Sequence, residues 1–240
     1  MSAIDQKPQV ELHEAVAVDM TASSDKHYSS SSSSGHNKQA VQPPAHAFPP
    51  PGKANPLAIG FSAFSLCSFV FGLYNSGLIT DLPQVAVGVS VGVGGLGQLY
   101  ASIACFIMGE TFPAVTFFTY SGFFFAFGIM FSLPSGFIEA ATAGGSIDPL
   151  NRCMALIQAA FAICSFFYFL GTLRQPYLIQ AILLCVFLTF LTGSIGQFTD
   201  VHGLIVASGW FSFAVAAFAW YVMCAMLYTP ENTWIRLPVF

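Results

Sequence analysis

From residue 54 onward the chain alternates between apolar stretches of about 20 residues and short polar breaks. The apolar stretches run approximately 57–76, 84–108, 113–133, 153–172, 176–196 and 203–227. About 20 residues at a rise of 1.5 Å each cover a hydrocarbon core about 30 Å thick, so each stretch predicts one membrane-crossing helix. Turn and charge signals fill the breaks: Asp81-Leu82-Pro83, Gly109-Glu110-Thr111, the longer Pro134 to Arg152, Arg174-Gln175-Pro176 and Asp200-Val201-His202. The expected fold is an all-α polytopic membrane protein, a compact bundle of six transmembrane helices in a domain spanning 54–240.

Within the second stretch, Val87-Gly88-Val89-Ser90-Val91-Gly92-Val93 alternates with the period of a strand. The surrounding apolar run is too long for a strand, and lipid leaves an open strand edge unsatisfied, so helix is the reading. Its small residues Gly88, Gly92, Gly95 and Ser102 suit close helix packing, inside one subunit or between subunits. Ser121-Gly122-Phe123-Phe124 and Ser208-Gly209-Trp210-Phe211 echo each other at positions that an inverted repeat of three plus three helices would relate. Chance similarity in an aromatic-rich chain explains the echo equally well.

Residues 1–53 read differently. They hold four of the seven basic residues, four of the five histidines, the run Ser29 to Ser34 and Pro49-Pro50-Pro51-Gly52. With few large apolar side chains to offset the entropy of ordering, this segment is expected to be a disordered polar tail. It shows no apolar core of a signal peptide, and its five acidic residues do not fit a mitochondrial presequence.

Composition sharpens the membrane reading: 55% of residues are hydrophobic and 8% charged, against about 25% charged in a soluble domain. A net charge of −4 argues against nucleic-acid binding. The six cysteines fall in or beside apolar runs without metal-ligand spacing, and are expected to be buried thiols; no metal or cofactor is expected. Basic residues at the span ends divide as Lys38, Lys53, Arg174 and Arg236 on the side of the N-terminus against Arg152 opposite. Both termini are therefore expected in the cytoplasm.

Polar residues inside the spans are the candidates for function, because an unsatisfied polar group in hydrocarbon costs several kcal/mol. They comprise Asn75, Gln98, Thr111, Thr116, Thr119, Tyr120, Ser121, Gln158, Tyr168, Gln180, Thr189, Thr192, Ser194, Gln197 and Tyr221. A Ser or Thr can satisfy itself on its own helix, whereas an amide must place donors and an acceptor at once. Glu110, Arg174 and Asp200 stand only at span boundaries, which leaves no conventional proton relay and no nucleophile with a base. An enzyme is therefore not expected. Phe64, Phe117, Phe118, Tyr120 and Phe123 to Phe125 offer a hydrophobic constriction, or packing and lipid-facing surface.

Several strings carry a resemblance. They are Asn55-Pro56-Leu57-Ala58-Ile59-Gly60-Phe61, Leu73-Tyr74-Asn75-Ser76-Gly77, Gly94-Gly95-Leu96-Gly97-Gln98 and Gly109-Glu110-Thr111-Phe112 leading to Thr116 and Phe118-Thr119-Tyr120. Phe169-Leu170-Gly171-Thr172-Leu173-Arg174, Ala207-Ser208-Gly209-Trp210, Ala219-Trp220-Tyr221 and Leu237-Pro238-Val239 follow in order. Together they resemble the acetate uptake transporter family of bacterial succinate-acetate permeases and fungal acetate and ammonia export proteins. The resemblance implies a hexamer of six-helix subunits, each with its own path for small monocarboxylates. It implies a constriction at Phe64, Tyr120 and Val186, the last where the family carries leucine, and a selectivity position at Ala219. Two departures stand out: Cys105 occupies a position where the family carries Glu, and Glu110 one where it carries Asn.

The combined expectation is a permease or channel for acetate and other short monocarboxylates, proton-linked or not, in the plasma membrane. Asn55, Asn75, Gln98, Thr111, Thr116 and Tyr120 would line its substrate path as neutral donors and helix ends. Two alternatives stay open: a channel for ammonia or another small neutral solute, and a non-transporting signalling or scaffold protein with a phosphorylatable tail.

Overall fold

A computed structural model describes residues 54–79 and 82–238. The polar tail 1–53, Lys38 and Lys53 of the orientation argument and Asp81 lie outside the described residues. The described residues form six long helices: α1 (Pro56–Ser76), α2 (Pro83–Ile107), α3 (Thr111–Met130), then, after the short α4 (Phe137–Thr142), α5 (Asp148–Gly171), α6 (Tyr177–Thr199) and α7 (His202–Leu227). All six are long and apolar enough to cross a membrane.

Local chemistry sets the helix ends. Asn55 caps α1, its Oδ1 accepting from the Leu57 N–H at 3.0 Å, and Pro56 takes the first helical position, where no N–H is needed. Gly77 stops the helix at φ 67°, a left-handed conformation that costs glycine little. α5 opens at Asp148, five residues before the apolar run begins. Ser146 accepts from the Asp148 N–H, and Asp148 suits the positive end of the helix dipole. Hydropathy marks where lipid begins, whereas the helix continues into the polar boundary.

The alternating stretch of α2 is helical but irregular, a π-helical segment over Ser90–Gly95 between α-helical turns. The wider turn brings Gly94 against Cys67 and Phe124, and Gly95 under the ring of Phe125. A Cβ at Gly88 or Gly92 would meet nothing within 4 Å, so of the four small residues Gly95 and Ser102 are the ones in tight contact inside the subunit. The two halves of the Ser-Gly-Phe/Trp-Phe echo also differ: Gly122 faces open space, and Gly209 makes one of the tightest approaches in the protein.

α1 packs along α7 and α2, α7 on α6, α6 on α5, and α3 on α2. Lipid supplies no hydrophobic drive between helices, so close contact and polar bonds must hold them. Small buried residues line the α1–α7 crossing, where Gly72 meets Gly209 and Ser68 meets Ser212. Across three seams a buried serine donates to a carbonyl of the next helix: Ser212 to Ser68 at 2.8 Å, Ser121 to Gly95 at 2.8 Å, Ser102 to Ala114 at 2.8 Å and Ser194 to Ala155 at 2.9 Å. The threonines Thr116, Thr119, Thr189 and Thr192 instead donate to the carbonyl four residues back in their own helices.

Of the six cysteines only Cys67 and Cys105 are buried; Cys153 and Cys164 are exposed on α5. Burial of all six does not hold, because an apolar run in lipid covers the outward face of a helix as well as the inward one. Phe106, Ile107, Leu156, Phe167 and Trp210 likewise project outward.

Candidate functional site: two cavities and an aromatic neck

Three helices supply the centre of the bundle through residues three or four apart on one face. Along α1, Leu57 and Phe61 line one cavity of about 200 Å³, Ser68, Phe71 and Asn75 line a second of about 190 Å³, and Phe64 borders both. The order repeats on α3, where Thr116 and Phe117 line the first, Phe123 and Phe127 the second, and Tyr120 borders both. On α6, Ile179, Ile182 and Leu183 face the first cavity and Val186, Thr189, Phe190 and Gln197 the second. At 1.5 Å per residue Phe64 lies about 12 Å into α1 and Tyr120 about 14 Å into α3, close to mid-membrane.

The Phe64 and Tyr120 rings stack at 5.3 Å between centroids, and Phe190 stacks on Tyr120 at 6.4 Å. The Tyr120 hydroxyl is held by Ser165 Oγ of α5 at 3.0 Å, and Tyr168 beside it bonds Thr119 at 2.8 Å. Tyr120 is thus anchored at both ring and hydroxyl, and Val186, 3% exposed, lines the second cavity alone. Beyond the neck the aromatic wall continues with Phe123 against Phe161 and Phe190, and Phe71 against Phe127.

The other expected positions divide. Asn75 lines the second cavity and Thr116 the first, although the Thr116 hydroxyl already donates to Phe112 at 2.8 Å. Asn55 spends its side chain capping α1, so its neighbour Leu57 rather than Asn55 reaches the cavity wall. Thr111 is exposed at the start of α3, and the adjacent Glu110 lines the first cavity in its place. Ala219 is wholly buried within α7 and lies outside the walls of both cavities. Among the aromatic candidates Phe118 points outward at 61% exposed and Phe125 covers Gly95; the helix period separates them from Phe117, Phe123 and Phe124.

Gln98 departs most from expectation. It is 0% exposed, lies outside both cavity walls, and neither amide atom finds a hydrogen-bond partner in the protein. Helical spacing puts it with Gly95 and Ser102 on the face of α2 that packs on α3. An unpaired buried amide costs about 1–3 kcal/mol. Gln98→Met, of similar length and wholly apolar, is therefore expected to raise the thermal midpoint in detergent while leaving solute flux at the parent rate. A lower midpoint would show that the amide is satisfied.

Residues beyond the six expected path positions complete the walls: Glu110, read from the sequence as a family departure, and Gln175 in the first cavity, and in the second Asn151 with Gln158 and Gln197 from the wider set of polar candidates. The available signal was amides within or beside apolar runs; Gln158 shares a helix face with buried Met154, and its Oε1 lies where a side chain at Gly193 would stand. Among the described residues no three His, Cys, Asp or Glu side chains gather as a metal site.

A six-helix bundle with cavities opening from opposite halves onto a shared aromatic neck defines an integral membrane protein built around a central path. Residues 37–240 match the GPR1/FUN34/yaaH family, and the chain belongs to that family. Acetate permease A of Emericella nidulans is 30% identical over 85% of this chain and 74% of its own length. Ammonia transport outward protein 3 of Saccharomyces cerevisiae is 27% identical over 76% of this chain; the match spans 66% of the yeast protein's length. The solved bacterial acetate channel SatP superposes with a TM-score of 0.68 over 78% of this chain and 99% of its own, at 20% identity, and so shares the fold. The motif resemblance read from the sequence is borne out.

Proposed function

We propose that this protein conducts acetate and other short monocarboxylic acids across the plasma membrane, as a homo-oligomer, in keeping with the hexamer implied by the family resemblance, with both termini in the cytoplasm. The observation that carries the reading is the pair of cavities, about 200 and 190 Å³, that meet at Phe64 and Tyr120. Each cavity is large enough for a small hydrated solute. The neck between them is aromatic and apolar, a barrier that sieves by size and wetting. Asn75, Asn151, Gln158 and Gln197 supply amide donors to a carboxylate on one side of the neck, where no charged side chain stands among the described residues. A carboxylic acid with a pKa near about 4.3 is almost wholly anionic at neutral pH, and passage through an apolar neck favours its protonated form. With no carrier side chain in the neck, a coupled proton would travel on the solute.

Purified protein in liposomes tests the reading through uptake of labelled acetate down a gradient. Saturable uptake that exceeds that of empty vesicles by about tenfold or more, with competition by propionate, is expected. Uptake no faster than empty vesicles would overturn it, and competition by ammonium but not propionate would favour an ammonia path.

A further inference from the structure

The two cavities differ in charge. The second is lined by neutral polar groups, with Asn75, Asn151, Gln158, Thr189 and Gln197 as its donors and acceptors. The first has few polar groups, and among them stands one carboxylate, Glu110. Among the described residues no Lys or Arg lines either cavity. Glu110 sits in the tight α2–α3 connection, where its N–H donates to the Cys105 carbonyl at 2.9 Å, and it directly precedes α3, the helix that carries Tyr120. Gly109, at φ 81°, makes the bend that sets the following residue at the cavity mouth. Across the same cavity stands Gln175 from the α5–α6 connection; Arg174 beside it is exposed, and among the described residues no ion pair joins it to Glu110.

We propose that Glu110 makes this mouth select by charge, admitting the uncharged form of a short carboxylic acid in preference to its anion. The inference rests on the transport reading above and assigns one residue to its selectivity. A fixed negative charge beside a narrow, low-dielectric opening raises the barrier for an approaching anion and leaves an uncharged solute of the same shape unaffected. Because Glu110 is exposed, water and salt weaken the effect; it is strongest at low ionic strength and fades as the screening length falls below the width of the mouth. The same charge would favour a cation such as ammonium. A barrier fixed at one end of a passive path slows passage in both directions, so the effect does not depend on how the protein is oriented in a vesicle.

The test compares acetate with acetamide, its uncharged analogue of nearly the same shape, in liposomes at neutral pH. In Glu110→Gln the ratio of acetate to acetamide permeability is expected to rise roughly three- to tenfold at about 10 mM salt, and the rise is expected to collapse at about 1 M. Glu110→Asp, which keeps the charge, should stay near the parent ratio. Size-exclusion profiles identify any variant that fails to fold, and Glu110→Ala then serves as a second neutral replacement. A ratio that does not change in either neutral variant, or a rise insensitive to salt, overturns the charge selection while leaving the transport reading intact. If the parent carries neither solute above empty vesicles, the transport reading itself has failed.

Discussion

Gly209→Ala is expected to destabilise the protein by about 3 kcal/mol or more, the upper range for overpacking a filled interior. A Cβ at this position would lie 2.5 Å from Ser76 N, 2.9 Å from the Asn75 carbonyl carbon and 3.0 Å from Gly72 O. All three are main-chain atoms in the last turn of α1, so no side chain can rotate aside and the helices themselves must separate. Separation also strains the Ser212 to Ser68 bond three residues along α7. Gly122→Ala is the natural comparison. Its Cβ would meet nothing within 4 Å, and alanine favours helix over glycine by about 1 kcal/mol, so that variant should be as stable as the parent or slightly more so. Thermal unfolding in detergent separates the two, with a drop of about 10 °C expected for Gly209→Ala and none for Gly122→Ala. Equal midpoints would mean that α1 and α7 cross less closely than described. Because Asn75 is part of the collision and lines the second cavity, flux through the surviving folded fraction should fall as well.

Tyr120→Ala is expected to abolish discrimination by size. Among the described residues Tyr120 and Phe64 are the side chains that border both cavities, and Tyr120 is 2% exposed, stacked between Phe64 and Phe190. Removing the ring joins the cavities into one continuous opening. Permeability to benzoate relative to acetate should rise tenfold or more in liposomes, while acetate itself passes at least as fast as in the parent. Tyr120→Phe separates ring from hydroxyl: it keeps the wall and loses the bond to Ser165, and its selectivity should stay within about threefold of the parent. If Tyr120→Ala remains as selective as the parent, the neck lies elsewhere. The ring removal also costs about 3–5 kcal/mol of packing, so folded protein must be isolated before flux is compared.

Phe64 and Tyr120 stack on each other and border both cavities, whereas Val186 lines the second cavity alone, a relation that spacing within three separate helices does not reveal. Motif resemblance singled them out without geometry. Ala219 came by the same resemblance and Gln98 from its amide within an apolar run, and both landed outside the cavity walls. One-letter chemistry cannot tell an amide that faces a cavity from one that faces a neighbouring helix. Gln158 and Gln197 are the converse case: the same residue type, equally embedded, but turned to the cavity wall.

Solvent explains this division. Lipid demands apolar surface over about 20 residues, and that demand is written along one dimension; the number of helices and their approximate limits follow from it, while capping chemistry equally local in sequence sets the Asn55-Pro56 start and Gly77 stop of α1. A helix in water also declares its inward face, because the outward face must be polar. A helix in lipid does not, since both faces are apolar, and so Phe117 and Phe118 look alike in sequence while one is 5% and the other 61% exposed. Helix neighbours, the α1–α7 crossing, the orientation of the amides and the presence of Glu110 at a cavity mouth are settled by which small residues let backbones approach. That choice is made by packing among six helices at once, and no single segment contains it.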